Sequence, residues 1–386
     1  MIEHVAGKLA RLRAGLMLAA TSVLAACAVV PKAPPPPPPP IAPPATPLPA
    51  DEARHRVALL VPLTGPNAGA GMAIANAATM ALIDTNAKSL RMTTYDTGLG
   101  AADAAARAVA DGNELIIGPL VSEDVLAVAQ TARSAHVPTI SLASETAVAG
   151  NGVFVMGTSA QQVITRDVQY ERRQGATRFG ALVPVGGYGE RASSAMLAAV
   201  RAAGGTLVGM ESHERGAAGI AAAVRRLKAR GAMDAVLIAD NAQTAAEAAP
   251  LLRAGNPALR LMGTQLWSGE AAVTRTSALN GAVFAAVSDQ RYRRFADSYK
   301  TRYNAVPYRI ATLGYDAVLL TLRVGREWPA GRPFPVARLA DQGGFLGLDG
   351  VFRFGANGVI ERALELRQVK AGAISVVAPA PERFGE

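Results

Sequence analysis

The chain has 386 residues, a formal net charge of +9 and a composition that is 50% hydrophobic but only 5% aromatic. Its basic residues are interspersed with acidic ones, whereas nucleic-acid binding needs a concentrated basic surface with stacking aromatics, so no nucleic-acid partner is expected. The single cysteine excludes an internal disulfide, and folding must therefore depend on a hydrophobic core, which a chain of this length is able to bury.

The first 26 residues have the pattern of a signal peptide for export. Lys8, Arg11 and Arg13 give this segment a positive start, and the apolar stretch 14–26 is too short to span a bilayer as a permanent helix. The stretch ends in Leu24–Cys27, which resembles the lipobox of bacterial lipoproteins. In that family the cysteine is lipidated and the signal is cut before it. An ordinary secretory signal followed by an incidental cysteine is the alternative.

A lipid on Cys27 would hold the protein on a membrane, because each buried methylene adds roughly 0.8 kcal/mol. The next residue is Ala28, whereas an aspartate at this position resembles an inner-membrane retention signal in enteric bacteria. The resemblance therefore implies a cell-envelope protein that is lipid-anchored at the outer membrane and faces the periplasm.

Residues 27–54 contain the lipidation site and a proline-rich linker, with seven consecutive prolines at Pro34–Pro40. Proline fixes φ and donates no backbone hydrogen bond, so this segment is excluded from helices and central strands. We expect a disordered but stiff polyproline II tether that reaches on the order of 60 Å. A rod between membrane and domain is the main interpretation, and a recognition role for the proline run is the alternative.

From Arg56 onward, short apolar strands alternate with helices. Strands are expected at 57–62, 91–95, 115–117, 139–142, 178–184, 206–211, 235–239, 259–263 and 283–287. Helices are expected at 71–88, 101–111, 122–135, 160–174, 190–203, 220–229, 244–254, 291–304 and 310–327. The tail, 350–377, has the alternation and the Asn357–Gly358 turn of β-hairpins. This order indicates an α/β protein with parallel sheets that helices cover on both faces.

Six short segments, found in a consistent order and spacing, carry a family resemblance. They are Val61–Gly65, Ile117–Ser122, Val137–Ser141, Tyr188–Glu190, Gly314–Ala317 and Phe345–Gly350. With them the chain resembles type I periplasmic binding proteins of the leucine/isoleucine/valine-binding kind, from about Arg56 to Val377. The resemblance implies two Rossmann-like lobes with parallel sheets, which close around a ligand by hinge motion.

The family fold implies three hinge crossovers, near Gly157, Val287 and Gly344. The first lobe would comprise residues 55–157 and 288–344. The second lobe would comprise residues 158–287 and 345–380.

The resemblance also implies a ligand site between the lobes. Family members that hold amino acids receive the ligand carboxylate with a serine at the position of Ser122 and with the loop matching Ser141–Thr146. A helix N-terminus at Ser122 suits an anion, although an N-cap role would produce the same sequence. The candidate ligand-binding residues are Thr64, Ser122, Ser141, Ser144, Thr146, Tyr188, Asn241 and Gln265.

The other half of this site departs from the family pattern. Asp240 and Asn241 stand where an aromatic residue usually follows the strand, and Gln265 stands where an acid pairs with the ligand ammonium. A neutral amide is a poorer partner for a buried cation, because the charge stays uncompensated. Asp240 or Glu270 is the alternative acid, and Trp267 is either a wall of the cleft or part of the core.

The sequence does not predict an enzyme. Gly187–Ala192 follows a strand and opens a helix, which approximates a dinucleotide fingerprint, but a lone match of this kind is weak. The histidines His55, His136 and His213 are isolated in the sequence. No catalytic residue, metal site or cofactor is therefore expected.

Two non-catalytic functions remain open. The first is a regulator of peptidoglycan synthesis of the penicillin-binding-protein activator type, a branch of lipoproteins with this fold that stimulate a peptidoglycan synthase. The lipobox, the long tether and the altered amine pocket favour it. The alternative is the substrate-binding lipoprotein of an ABC transporter, which would hold a small amino-acid-like ligand of the branched-chain type and deliver it to an ABC permease.

Overall fold

The computed structural model describes residues 54–384. The predicted signal peptide, Cys27 and all but the last residue of the predicted linker lie outside the described residues. The described residues form two lobes, one around a five-stranded sheet and the other around a seven-stranded sheet. The predicted α/β class with two Rossmann-like lobes is confirmed.

The elements of the first segment are β1 (His55–Val61), α1 (Ala68–Asp84), β2 (Leu90–Asp96), α2 (Ala101–Ala110), β3 (Leu115–Ile117), α3 (Val125–Ser134), β4 (Thr139–Ser141) and β5 (Val153–Val155). The first sheet is entirely parallel, with the strand order β2–β1–β3–β4–β5. Strands β1 and β3 are buried along nearly their whole length, as expected for strands that helices cover on both faces.

The elements of the next segment are α4 (Ala160–Arg173), β6 (Arg178–Pro184), α5 (Gly187–Ala202), β7 (Thr206–His213), α6 (Ala217–Ala229), β8 (Ala235–Ile238), α7 (Ala242–Arg253), β9 (Arg260–Met262), α8 (Ala271–Arg275) and β10 (Val283–Ala286). Its strands build the parallel part of the second sheet, in the order β10–β9–β8–β6–β7.

The last segment returns to the first lobe and then ends in the second. Its elements are α9 (Gln290–Tyr303), α10 (Thr312–Val324), β11 (Phe345–Gly347), β12 (Gly350–Phe354), β13 (Ile360–Arg362), β14 (Glu365–Lys370) and β15 (Ala373–Ala378). Phe295 and Tyr299 of α9 share a buried cluster with Ala77 of α1. Strands β14 and β15 extend the second sheet in antiparallel fashion beyond β10.

Strands β11–β13 form a small antiparallel sheet that packs on the first lobe. Phe345, Phe352 and Phe354 share a buried cluster with Leu59 of β1. The carboxylate of Asp316, in α10, accepts a hydrogen bond from Leu348 N at 2.7 Å and so holds the β11–β12 turn against the helix.

The chain therefore reaches the second lobe between Arg362 and Glu365, and not near Gly344 as the sequence predicted. The alternation in the tail identifies hairpins, but it does not tell which of the two cores receives their apolar face. This crossing is in contact with the crossing near Gly157, because Arg362 Nη2 donates a hydrogen bond to Met156 O at 3.2 Å.

The first β–α connection of each lobe depends on a glycine. A Cβ on Gly71 would lie 1.8 Å from Pro62 O, and a Cβ on Gly189 would lie 1.7 Å from Pro184 O. Any other residue would push the helix away from the strand, so glycine is required for the close approach of α1 to β1 and of α5 to β6.

In the part of the chain that the structure describes, no helix has the length and the apolar character needed to cross a membrane.

The packing of the small sheet is tested with Phe354→Ala. Phe354 is 2% exposed and lies edge-on to Phe154, with the ring centroids 5.4 Å apart. The substitution leaves a cavity in the core of the first lobe, so we expect the free energy of unfolding to fall by about 3–5 kcal/mol in urea titrations. Leu99→Ala is the control, because Leu99 is 72% exposed and its loss should change stability by less than about 0.5 kcal/mol. Equal effects of the two substitutions would contradict this placement of β12.

Candidate functional site

Segments that follow the carboxyl ends of strands in the two lobes meet at an ion pair. Glu145 lies in the loop after β4 of the first lobe, and its Oε2 is 3.6 Å from Nη1 of Arg191, in α5 of the second lobe. Both residues follow the carboxyl end of a parallel strand, which is the edge where open α/β sheets bind ligands. The cleft between these two walls is therefore the candidate site.

On the first wall, Ser141 holds two loops together. The carbonyl oxygen of Pro119 accepts hydrogen bonds from Leu142 N at 3.0 Å and from Ala143 N at 3.1 Å. Ser141 Oγ accepts from Ala143 N at 3.2 Å and lies 3.5 Å from the same Pro119 carbonyl. The Ser141 side chain is completely buried, so its hydroxyl fixes the shape of the wall instead of facing the cleft.

Three other hydroxyls on the first wall are available. Ser122 begins the 3₁₀ helix Ser122–Asp124 that leads into α3, and its side chain caps neither helix. Ser144 and Thr146 are half-buried in the loop after β4. Within residues 54–384, none of these three hydroxyls has a hydrogen-bond partner. The N-cap alternative for Ser122 is therefore not realised in this conformation.

Thr64 stands beside the same wall, but its hydroxyl is already engaged. It donates to Asp96 Oδ2 at 2.8 Å, while Leu63 N and Gly98 N donate to Asp96 Oδ1 at 2.7 and 2.8 Å. Burial by itself would raise the pKa of Asp96, but these donors outweigh it and hold the pKa below its ordinary value. Thr64 thus supports the turn after β1.

On the second wall, Tyr188 and Trp267 have different positions. The Tyr188 hydroxyl lies 3.4 Å from Thr264 Oγ1, and burial raises the pKa of the phenol, so it stays neutral at physiological pH. Trp267 is completely buried, and its Nε1 donates to Asp240 O at 3.0 Å. Tyr188 therefore contributes to the wall, whereas Trp267 belongs to the core behind it.

His213 and Asp240 form a pair on this wall that the sequence did not predict. Nε2 of His213 lies 3.3 Å from Oδ2 of Asp240, and the histidine is only 3% exposed. Nε2 has no well-aligned acceptor, so the attraction is mainly electrostatic. The Asp240 carboxylate raises the pKa of His213 in spite of burial, and the imidazole helps to lower the pKa of Asp240 against the opposite effect of burial.

His213, which is isolated in the sequence, is therefore paired in the fold. His213 ends β7 and Asp240 follows β8, and these strands flank β6 in the sheet. The two side chains meet because of the order of the strands in the sheet, which differs from their order along the chain.

Asn241 and Gln265 also differ in what they can offer a ligand. Asn241 Oδ1 accepts from Thr244 N at 2.9 Å, which is the N-cap of α7 and uses the side-chain oxygen. Gln265 begins the 3₁₀ helix Gln265–Trp267 after β9, and its Oε1 is buried without a partner among the described residues. Of these polar groups the side-chain oxygen of Gln265 is the one without a partner, whereas the Tyr188 hydroxyl donates to Thr264 Oγ1.

A family model described as periplasmic binding protein matches residues 55–373. The chain belongs to the periplasmic binding protein family. No curated protein sequence matches the chain closely enough to add to this assignment.

Solved structures with the same fold include several transport proteins. One from Rhodospirillum rubrum, described as a branched-chain amino acid ABC transporter, is 22% identical over 84% of this chain and all of its own, with a TM-score of 0.73. A leucine-binding protein from Thermotoga maritima is 20% identical over 84% of this chain and 98% of its own, with a TM-score of 0.64. A solute-binding protein from R. palustris in complex with benzoate is 20% identical over 86% of this chain and 98% of its own, with a TM-score of 0.65.

The turn Gly187–Ala192, which approximates a dinucleotide fingerprint in the sequence, has a structural explanation. Gly189 is needed where α5 meets Pro184 O, so the motif serves helix–strand packing. Between residues 54 and 384 there is no group of three His, Cys, Asp or Glu side chains that could hold a metal ion.

The contact between the lobes is tested with Glu145→Gln, which removes the charge that attracts Arg191. Both side chains are partly exposed, so the pair contributes at most about 1 kcal/mol, and the free energy of unfolding should fall by less than this. The ligand-free lobes should separate, and small-angle X-ray scattering should show a larger radius of gyration. Glu190→Gln is the control, because Glu190 is exposed on α5, the helix that carries Arg191. It should change neither the free energy of unfolding nor the radius of gyration. An unchanged radius of gyration in the Glu145 variant would show that the ion pair does not hold the cleft closed.

Proposed function

We propose that this chain is a non-catalytic solute-binding receptor of the cell envelope, which holds a small carboxylate between its lobes and presents it to an ABC permease. The observation that carries the proposal is the pair of facing walls. One wall offers the unpaired hydroxyls of Ser122, Ser144 and Thr146, and the other offers Tyr188 and Gln265. Fold relatives described as ABC transporter binding proteins, one of them solved with benzoate, support the same function.

A carboxylate fits the first wall because this wall offers hydrogen-bond donors. Ser122 opens the helical segment that continues as α3, where backbone amides are not yet used by the helix. Free amides and the positive end of the helix dipole favour an anion at this position. The neighbouring hydroxyls are donors that need no charge of their own to bind a carboxylate.

The ligand is tested by thermal shift and calorimetry on residues 49–386 with amino acids, carboxylates including benzoate, and muropeptides. A ligand that binds the folded state stabilises it by about 2.7 kcal/mol at a hundredfold excess over Kd, so the melting temperature should rise. Ser122→Ala should weaken carboxylate binding about tenfold or more, because it removes a donor to a charged group. Ser134→Ala, at the exposed far end of α3, is the matched control. The proposal fails if no small molecule shifts the melting temperature.

The proposal includes a lipid anchor at Cys27, with the proline-rich segment as the tether that holds the receptor off the membrane. The signal-like residues 1–26 and the lipobox-like Leu24–Cys27 support it, and membership of the periplasmic binding protein family agrees with an envelope location. Ala28 follows Cys27 where an aspartate would resemble an inner-membrane retention signal, and it therefore favours the outer membrane.

Cys27→Ser should abolish the anchor. Cells fed a labelled palmitate analogue should lose the label on this protein, and the protein should move from the membrane fraction to the soluble fraction, because the thioether-linked lipid is missing. Val29→Ser, just outside the lipobox, should keep both the label and the membrane fraction. Retention of the label in the Cys27 variant would contradict a lipid at this cysteine.

A regulator of peptidoglycan synthesis of the penicillin-binding-protein activator type is the second candidate. The lipobox, the long tether and the neutral Gln265 at the position of the amine-pairing acid favour it. Capture of a peptidoglycan synthase by the tethered protein, together with no response to any small molecule, would support this function over transport.

A further inference from the structure

A second cavity, which we call the hinge cavity, lies beside the second crossing between the lobes. It has a volume of about 700 Å³, and both lobes contribute to its walls. Leu346 and Val351 of the small sheet line it from the first lobe, and Ile374 and Val376 of β15 line it from the second. The chain at the crossing, residues 288–291, lines it as well. No candidate ligand-binding residue of the cleft lines this cavity, so the two sites are separate.

The apolar side chains of the hinge cavity do not fill it. Leu346 is 57% exposed and Val376 is 51% exposed. Ile374 and Val376 are two residues apart in β15, so both lie on the same face of the strand. Exposed apolar surface in a concave site favours an apolar occupant, because binding removes that surface from water. The volume also lies within the range of about 300–1,000 Å³ that is usual for small-molecule sites.

Residues 379–384, which follow β15, form a strap along one side of this cavity. Residues 379–382 line it, and Phe384 contacts the first lobe. The Arg353 guanidinium of β12 lies 4.6 Å from the centroid of the Phe384 ring. A Cβ on Gly344 would lie only 3.0 Å from Phe384 Cδ2, so the ring packs directly on this glycine. The strap thus connects β15 of the second lobe to the small sheet of the first.

The two acids beside the crossing are already neutralised by arginines. Oδ2 of Asp289 lies 2.7 Å from Nη1 of Arg367, and its Oδ1 lies 3.4 Å from Nε of Arg309. Glu365 Oε1 accepts a hydrogen bond from Arg367 Nε at 2.7 Å. Arg367 is only 4% exposed, so water screens these attractions little. The third acid that lines the cavity, Glu382 in the strap, is exposed, and water screens its charge.

Two arginines of α9 that line the hinge cavity are unpaired. Within residues 54–384, the side chains of Arg291 and Arg293 have neither a hydrogen bond nor an ion pair. Both are exposed, and each guanidinium can give a carboxylate or a phosphate two parallel hydrogen bonds. The charges available to a ligand are therefore two guanidinium groups and one exposed carboxylate, and this excess favours an anion.

We propose that the hinge cavity is a second ligand site, which binds an amphipathic anion, that is, a carboxylate, phosphate or sulfonate group on an apolar chain or ring. The anionic group lies against Arg291 and Arg293, and the apolar body packs between Leu346 and Val376. This inference goes beyond the proposed receptor function and does not depend on it, because the cavity shares no residue with the candidate cleft.

Three probes with the same apolar chain test the charge preference by isothermal titration calorimetry at neutral pH: decanoate, decanol and decyltrimethylammonium. The protein is residues 28–386, the mature chain without a lipid. Decanoate should bind with a Kd at least about fivefold lower than that of either other probe, because two exposed ion pairs add modestly to the apolar contact. Equal or tighter binding of either other probe would contradict an anion site.

Leu346→Asp tests the apolar wall, with Leu99→Asp as the matched control. Leu346 and Leu99 are 57% and 72% exposed, so neither substitution should prevent folding, which circular dichroism checks. The new carboxylate at position 346 repels the anion and interrupts the apolar wall, so the Kd of decanoate should rise about tenfold or more. Leu99 does not line the cavity, and its substitution should leave the Kd unchanged. Equal Kd values for the two variants would place the probe elsewhere and overturn the proposal.

The double variant Arg291→Ala, Arg293→Ala tests the anionic contact, and it decides alone if Leu346→Asp does not fold. The Kd of decanoate should rise about fivefold toward that of decanol, whereas the Kd of decanol should stay unchanged. The matched control is Arg215→Ala, Arg225→Ala, which removes two exposed arginines of the second lobe that do not line the cavity. The same loss of affinity in both double variants would indicate a general effect of net charge and overturn the anion site.

Further outcomes separate this inference from the proposed function. Loss of decanoate binding in Ser122→Ala would place the probe in the cleft and overturn the hinge-cavity site. Decanoate binding that Ser122→Ala leaves intact, with no response to amino acids, benzoate or muropeptides, would support the hinge cavity while the receptor function fails. Sedimentation of the protein with phosphatidylglycerol vesicles, without binding of free decanoate, would assign the arginines to a membrane surface and overturn the proposal.

Discussion

Each lobe depends on a helix that begins in direct contact with the carbonyl oxygen at the end of the preceding strand. At Gly71 and Gly189 a single Cβ would occupy the space of that oxygen. The absence of a side chain lets α1 and α5 lie directly over the carboxyl ends of their sheets. Without this approach, α5 would not bring Tyr188 and Arg191 to the second wall, and the loop with Glu145 would have no partner across the cleft.

Most of the polar groups near the cleft are used to fix its shape. Asp96 accepts hydrogen bonds from the turn after β1, Asn241 caps α7, and Ser141 joins two loops of the first wall. A buried polar group without a partner costs about 1–3 kcal/mol, so satisfied groups of this kind make a wall rigid. Among the described candidate residues, the hydroxyls of Ser122, Ser144 and Thr146 and the amide oxygen of Gln265 are unpaired. A site built from such neutral groups would select its ligand by hydrogen-bond geometry more than by charge.

Local patterns predicted most of the fold. Strands β3 and β6 have the bounds expected from their apolar runs, and the helix–strand alternation identified both lobes. The predicted starts of two helices were wrong, because tertiary contacts determine them. Helix α1 begins at Ala68 and α5 at Gly187, each three residues earlier than expected, where the helix packs against the end of a strand. These contacts involve residues whose helical propensity is low, so propensity did not indicate them.

The candidate site was harder to predict, because its members meet only through strand order. The family resemblance pointed to Ser122, Tyr188 and Gln265, which follow the carboxyl ends of β3, β6 and β9. It also pointed to Thr64 and Asn241, whose side chains the structure uses for local hydrogen bonds. The pair of His213 with Asp240 was missed, because β7 and β8 lie on opposite sides of β6 and the sequence does not give the order of strands in the sheet.

The position of the tail has a consequence for how the chain acquires its structure. The core of the first lobe contains residues from Val57 to Ile360, and the second sheet receives β14 and β15 from residues 365–378. Neither core is therefore complete until almost the whole polypeptide is present. Contacts between distant parts of a sequence form slowly. A core that lacks its last segments is incomplete, and an unfolded polypeptide is the form that can be threaded through a membrane pore, so this arrangement is compatible with export during synthesis.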